Sequence, residues 1–136
     1  MTDEKEKDPI FGEVIFSYTR EMALADGVLI DVTALAREAH HPAGIQVVFT
    51  ESLHNKCADV SENPGESWDG RAYDVLWMAF LNLCKRNRRK GLGDIAGAEN
   101  PEFQVIFGLG YDNATTDTLW CVADAEGVTI GYPEDF

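Results

Sequence analysis

Few side chains in this sequence have the types and spacing that metal binding requires. His54 and Cys57 lie three residues apart in a segment predicted as a helix, so both could face one zinc ion, with His40 or His41 as a further ligand. The sequence contains no C-x-x-C pair and no H-E-x-x-H motif. A surface histidine beside a buried cysteine explains the pair better, and we predict no bound metal and no cofactor.

Nucleophilic chemistry has equally few candidates. The three cysteines are Cys57, Cys84 and Cys121, and each has apolar neighbours, which favour an unreactive buried thiol. Cys84 alone stands beside cationic residues, Lys85 and Arg86, that favour the reactive thiolate. A serine nucleophile would need a G-x-S-x-G elbow, which the sequence lacks. The odd number of cysteines favours reduced thiols over a disulfide framework.

Two glycine-rich stretches are candidates for phosphate binding, GLGDIAG (91–97) and GLGYDNA (108–114). Neither contains G-K-[ST], and neither is a G-x-G-x-x-G turn between a strand and a helix. Both are predicted to be ordinary loops. Because no catalytic motif is present, we predict that the protein is not an enzyme.

Acidic residues dominate the charged positions. The chain has 24 Asp and Glu against 11 Lys and Arg, a net charge of −13. Five of the basic residues fall in one run, so the rest of the chain carries a net charge of −18. Such a surface repels nucleic acid and membranes and attracts basic surfaces, although acidity also serves plain solubility. The acidic candidates for partner binding are Glu62, Glu66, Asp69, Asp74, Glu134 and Asp135.

The basic run has three interpretations. At the end of a predicted helix it is favoured by the helix dipole, which makes a solvated helix terminus the preferred one. It could also contact phosphates, or pair with the acidic surface of a second copy in a homodimer. The run consists of Lys85, Arg86, Arg88, Arg89 and Lys90.

A single apolar helix is predicted to centre the domain, over residues 68–84. Its helical spacing is carried by Ala72, Leu76, Ala79 and Leu83. Further apolar residues, Trp77 among them, widen the stripe beyond the usual arc. Such a helix is expected to be covered on most of its circumference, by the rest of the domain or by a partner. Gly91 is predicted to end it.

The remaining chain alternates between short helical and short strand patterns. Helices are predicted at 20–26, 34–38 and 51–60, with Thr19, Thr33 and Thr50 as their N-caps. Gly27 is expected to end the first of them, and Pro42 lies just beyond the second. Strands are predicted at 28–32, which is expected to be buried, and at 44–49, 103–109, 118–124 and 128–132. Residues 10–16 are predicted to be a strand or an extended arm.

These elements predict one α+β domain over 10–136, preceded by a mobile polar tail at 1–9. We expect several short helices and the central buried helix to pack on one face of a small antiparallel sheet, whose last three strands form a meander. No run approaches the ~18 apolar residues of a membrane span. The amino terminus has no apolar signal segment, so a cytoplasmic protein is predicted.

Several stretches resemble a family of small acidic proteins of unknown function found on plasmids, phages and other mobile elements. The resemblance is carried by FGEVI and SYTR (11–20), ALADGVLIDVT and AREA (23–39) and GRAYDVLWM (70–78), and more loosely by VTIGYPEDF (128–136). It covers about half of the chain and implies an intracellular, mobile-element context. It implies no established activity and no catalytic residues. Small acidic proteins of mobile elements include inhibitors of host defence that imitate nucleic acid.

The leading hypothesis is therefore a non-catalytic protein that binds a basic, nucleic-acid-binding host protein and inhibits host defence as a nucleic-acid mimic. Direct binding to nucleic acid or to a membrane is not expected. One alternative is a homo-oligomeric structural or accessory protein, with Trp77 and Leu81 in the seam between copies. Another is a small metal-dependent enzyme or regulator that uses His54 and Cys57.

Overall fold

The computed structural model describes residues 19–91 and 101–136, with the side chains of 19–85 and 101–136, and in these residues helices cover a five-stranded sheet. The helices are α1 (Arg20–Asp26), α2 (Thr33–Glu38), α3 (Glu51–Ala58) and α4 (Trp68–Gly91). The strands are β1 (Leu29–Asp31), β2 (Val47–Thr50), β3 (Glu102–Phe107), β4 (Thr115–Asp124) and β5 (Gly127–Gly131). A short 3-10 turn follows at Pro133–Asp135. The predicted α+β class is confirmed.

The sheet is mostly antiparallel, in the order β1-β2-β5-β4-β3. β3, β4 and β5 form the predicted meander, and a tight turn over residues 125 and 126 joins the last two strands. Asp124 Oδ1 accepts a hydrogen bond from Glu126 N at 2.8 Å within this turn. β5 then lies parallel to β2, with Ile130 opposite Phe49. This parallel pair joins the two halves of the chain into one sheet.

One face of the sheet carries the core, and α2, α3 and α4 cover it. β3 alternates strictly, with Phe103, Val105 and Phe107 turned inward. The facing surface of α4 is made of fully buried side chains: Ala72, Val75, Leu76 and Ala79. The predicted central helix is confirmed, and it runs on through the basic run to Gly91.

α1 is built by local signals, as predicted. Thr19 Oγ1 accepts a hydrogen bond from Met22 N at 3.1 Å, and Gly27 ends the helix with a positive φ of 80°. Arg20 fastens this helix to β5, since its guanidinium donates to Thr129 Oγ1 at 2.8 Å. The side chain of Thr129 points away from the core, because its neighbour Ile130 points into it.

One predicted N-cap is wrong, and another has the predicted position without a capping hydrogen bond. Thr33 is the first helical residue of α2, and its Oγ1 accepts from Val47 N at 3.0 Å, whereas Asp31 Oδ1 accepts from Thr33 N at 2.8 Å. Thr50 precedes α3 as expected, but its side chain makes no capping hydrogen bond and donates to Asp135 Oδ2 at 2.7 Å. Both hydroxyls serve tertiary contacts instead of the helix ends.

The strand predicted to be buried at 28–32 spans Leu29–Asp31, and Leu29 and Ile30 are only half-buried. Among the strands that the structure describes, β1 lies at the edge of the sheet, beside β2. The predictions for 1–9, 10–16 and most of the loop after α4 lie outside the described residues. Among the helices that are described, none has the length and apolarity needed to cross a bilayer.

Candidate functional site

Five of the six acidic candidates of the sequence gather at one end of the sheet, and the sixth, Asp74, lies further along α4. β2 and β5 are parallel, and β3 and β5 each run antiparallel to β4, so β2, β3 and β5 end at the same edge. The segments that follow these three strands place acidic residues there, as do α3 and its loop to α4. We name this set the acidic end: Glu51, Asp59, Glu62, Glu66, Asp69, Asp112, Glu134 and Asp135.

Hydrogen bonds hold the loops of the acidic end together. Asn63 Nδ2 in the α3–α4 loop donates to Asn113 Oδ1 in the β3–β4 turn at 2.9 Å. Gly65 N donates to the hydroxyl of Tyr111 in the same turn, also at 2.9 Å. The basic residues within these segments are Lys56 and Arg71, so the acidic end keeps a negative local charge.

Arg71 is the organising residue of this end, and its only sequence signal is that of one cation in an apolar helix. Its side chain is 6% exposed, and Nη1 donates to the carbonyl oxygens of Lys56 at 2.8 Å and Asp59 at 2.9 Å. Nη2 donates to Asn63 Oδ1 at 2.9 Å. The guanidinium also lies over the ring of Phe107, 5.4 Å from its centroid. Arg71 therefore fixes the loop that presents the neighbouring acids.

A cavity of about 130 Å³ lies beside Arg71. Polar and charged side chains dominate its wall, including Lys56, Glu62 and Asn113. Lys56 Nζ stands 5.5 Å from the centroid of Phe107, so two cations share that ring. The wall residues bind one another, and the geometry suits support of the loop better than a reaction.

Two of the predicted partner contacts are engaged within the fold. Glu66 Oε1 accepts from Arg71 Nε at 2.6 Å. Asp135 Oδ2 accepts from Thr50 Oγ1, and from Ser52 Oγ at 2.6 Å. The other four predicted acids, Glu62, Asp69, Asp74 and Glu134, are exposed. The surface that could meet a partner is therefore smaller than the sequence suggested.

A tyrosine lies next to this C-terminal contact. Tyr132 N donates to Asp135 Oδ2 at 2.8 Å, and the Tyr132 hydroxyl donates a short hydrogen bond to Asp117. Burial and the neighbouring Asp117 carboxylate raise the pKa of the Tyr132 phenol well above its usual range. The phenol therefore stays protonated and ties β4 to the end of the chain.

The weak metal candidates do not converge. His54 Nδ1 accepts a hydrogen bond from Trp68 Nε1 at 3.1 Å, whereas Cys57 is fully buried in the core. Burial raises the pKa of the Cys57 thiol to about 12, which disfavours the thiolate that metals bind. Within the two described stretches, no three His, Cys, Asp or Glu side chains are arranged to hold a metal ion.

The other two histidines serve the packing of α4. His41 is buried, and its Nε2 lies 2.8 Å from the carbonyl oxygen of Leu76. Burial lowers the pKa of His41, so the neutral ring is favoured, with Nε2–H as the donor. His40 is exposed and meets Trp77 edge-on, with ring centroids 5.4 Å apart.

The basic run lies at the other end of α4 from Asp69. Positions 85–90 form the last turns of the helix, whereas Asp69 lies in its first turn. A helix of 24 residues is ~36 Å long at 1.5 Å per residue, so the two ends of α4 are far apart. Lys85 is exposed.

An apolar patch occupies the outward face of α4. Trp77, Met78 and Leu81 are 37%, 38% and 40% exposed, and Ile106 of β3 is 49% exposed. Within the described residues, the domain itself leaves this side of the helix uncovered, so the expectation that the domain or a partner covers most of its circumference stays a prediction. A groove of about 250 Å³ runs between the helix and β3, along Asp74, Trp77, Met78, Gln104 and Ile106.

In comparisons with known proteins, no family model, no curated protein and no solved structure matches this chain. The resemblance to proteins of mobile elements therefore stays a prediction.

Proposed function

We propose that this is a non-catalytic binding protein whose acidic end engages a basic, nucleic-acid-binding host protein. The observation that supports the proposal is that carboxylates from separate parts of the chain meet at the shared edge of β2, β3 and β5. The mobile-element origin and a role as an inhibitor of host defence by nucleic-acid mimicry belong to the same proposal. Glu62, Asp69 and Glu134 are its principal contacts, because each is exposed.

Electrostatics gives the acidic end its expected mode of action. Clustered charge of one sign steers a partner of the opposite sign and raises its association rate, more at low salt than at high salt. The loop that carries Glu62 is fixed by buried Arg71, so the backbone that presents this residue is held in place before a partner arrives. Such preorganisation lowers the entropic cost of binding.

The test compares two variants with the same change in net charge. Glu62→Lys, Asp69→Lys and Glu134→Lys together reverse three exposed charges of the acidic end. The matched control reverses three exposed acids elsewhere, Glu21→Lys, Glu38→Lys and Glu126→Lys. Each protein is used to capture partners from a nuclease-treated bacterial lysate at about 50 mM and about 300 mM salt.

A captured protein is then purified and titrated with the wild type and both variants, with and without duplex DNA as competitor. We expect DNA to compete, the acidic-end variant to bind at least ~10-fold more weakly, and the control to bind as the wild type does. Equal loss in both variants would mean that net charge alone is responsible. That result, or binding that DNA does not compete, would overturn the proposal.

A further inference from the structure

We infer that the outward face of α4 binds a second copy of this chain, with the two α4 helices packed antiparallel about a two-fold axis. This face is separate from the acidic end, and the inference does not depend on the proposed function.

The face has the spacing of a helix-packing stripe. The stripe consists of Asp74, Trp77, Met78, Leu81 and Lys85. Trp77 and Met78 lie three and four residues after Asp74 and four and three residues before Leu81, and Lys85 follows four residues later, which places all five along one side of the helix. The core residues of α4 lie on the opposite side. The middle of the stripe is apolar and more than a third exposed, and the two ends are charged. This is the arrangement of an interface core with a polar rim.

The order of the charges selects the occupant. The midpoint between Met78 and Leu81 falls between Ala79 and Phe80. Asp74 and Lys85 are equally far from that same point. In an antiparallel pair centred there, Asp74 of each copy meets Lys85 of the other, and Met78 meets Leu81. A two-fold axis makes both contacts twice, because a symmetric interface uses the same patch on both copies. A parallel pair would instead place like charges together.

The groove beside the helix gives the second copy a place to pack. It is open along Trp77 and Met78 on one wall and Ile106 on the other. An apolar side chain of the second copy, such as Leu81, would fill it and cover Ile106. Because exposed apolar surface is removed from water on both copies at once, association is favoured by the hydrophobic effect.

The surroundings of the Asp74 carboxyl favour a contact with a cation from a second copy. Burial and the negative charge of Glu66 raise the pKa of the Asp74 carboxyl. Both effects disfavour its ionised form, and the ammonium group of Lys85 from a second copy would offset them. The Asp74 carboxyl is therefore expected to ionise at lower pH in the dimer than in a monomer.

A charge swap tests the contact and its register together. Wild-type protein is measured by sedimentation equilibrium and light scattering from about 1 µM to about 100 µM, where mass action reveals a dimer. Asp74→Lys and Lys85→Asp are each expected to weaken dimerisation at least ~10-fold, because each places like charges together. The double variant D74K/K85D is expected to restore it, which a merely misfolded protein would not do.

The apolar part of the face is tested in parallel. Met78→Glu with Leu81→Glu should give a folded monomer, as checked by circular dichroism. Leu109→Glu is the matched control, since Leu109 is 73% exposed in the β3–β4 turn, away from the stripe, and should leave the dimer intact. A wild-type protein that stays monomeric at about 100 µM would overturn the inference. So would a dimer that both single charge variants leave unchanged, or one that the double variant fails to restore.

Discussion

Arg71 Nε donates to Glu66 Oε1 at 2.6 Å, and this contact separates two kinds of acidic residue in the chain. Glu66 and Asp135 accept hydrogen bonds from within the fold, so their carboxylates are partly occupied by groups of the protein itself. Glu62 and Asp69 remain exposed beside them. In the proposed complex, Glu66 and Asp135 therefore fix the shape of the acidic end, and Glu62 and Asp69 supply the charge that attracts a partner.

Arg71→Met is expected to destabilise the protein strongly. The substitution leaves the Glu66 carboxylate without its cation. It also leaves the carbonyl oxygens of Lys56 and Asp59 without the donor that Arg71 provides. We expect the free energy of unfolding to fall by about 3 kcal/mol. Urea unfolding followed by circular dichroism measures the change.

Lys56→Met is the control for Arg71→Met. Lys56 also lies over Phe107, but it is only half-buried and its substitution leaves the loop carbonyl groups bound. It should cost less than about 1 kcal/mol. A loss of similar size for both variants would mean that charge over the Phe107 ring, and not the hydrogen bonds to the loop, carries the effect.

Asp135→Ala is expected to loosen the end of the chain from α3. Its carboxylate accepts hydrogen bonds from Thr50, Ser52 and the backbone of Tyr132, and Thr50 is buried. Losing the acceptor of a buried hydroxyl should cost about 1.5 kcal/mol. Glu134→Ala, at the adjacent exposed position, should change the free energy of unfolding by less than about 0.5 kcal/mol. Equal thermal stability of the two variants would contradict the prediction.

The sequence predicted the elements that depend on neighbouring residues. Thr19 and Gly27 bound α1 as expected, because a cap and a left-handed stop act within one turn of the chain. The apolar spacing of Ala72, Leu76 and Ala79 identified the side of α4 that meets the core, because burial follows the helical period.

The features that sequence reasoning missed depend on contacts between distant residues. Thr50 looked like a helix cap, but its hydroxyl meets Asp135, 85 positions later in the chain. The parallel pairing of β2 with β5 has no local signal either, since the two strands are far apart in sequence. Arg71 has no local signal of its role either, because Asn63 and Phe107 reach its side chain only in the folded chain. The acidic end is formed by contacts of this kind, between residues that are distant in sequence.

His41 is expected to make the protein less stable in mild acid. Burial lowers the pKa of His41 below its usual 6.5 in the folded state, so the unfolded chain binds the proton first as the pH falls. Stability is therefore complete above pH 6.5 and is lost as the pH falls from 6.5 through the folded pKa. The slope approaches ~1.4 kcal/mol per pH unit.

The check on His41 is an NMR titration together with urea unfolding between about pH 7.5 and about pH 5. The His41 ring signals should titrate below pH 6.5. His41→Gln, which keeps a neutral donor toward the Leu76 carbonyl, should flatten the acid slope. A His41 signal that titrates above 6.5 would contradict the assignment of a buried neutral ring.

Cys57 is expected to make the protein less stable in alkali. Burial raises the pKa of its thiol from 9.0 to about 12, so between these values the unfolded chain loses a proton that the folded chain keeps. Stability is complete below pH 9.0 and falls as the pH rises toward 12, by up to ~1.4 kcal/mol per pH unit. Cys57→Ala should reduce the slope of unfolding free energy against pH above 9.0, because the cost of the cavity it leaves does not vary with pH. Tyr132 keeps its own share of that slope in both proteins, since burial raises its pKa too.

Thiol labelling offers a second test of the same burial. Cys57 and Cys121 are fully buried and Cys84 is half-buried, so a disulfide reagent should label Cys84 first in the native protein. The other two should react at the rate at which the structure opens, because a thiol must reach solvent before it can attack the reagent. Mass spectrometry of digested samples taken over time assigns each labelled site. Early labelling of Cys57, before any loss of circular dichroism signal, would contradict both its burial and the alkaline slope assigned to it.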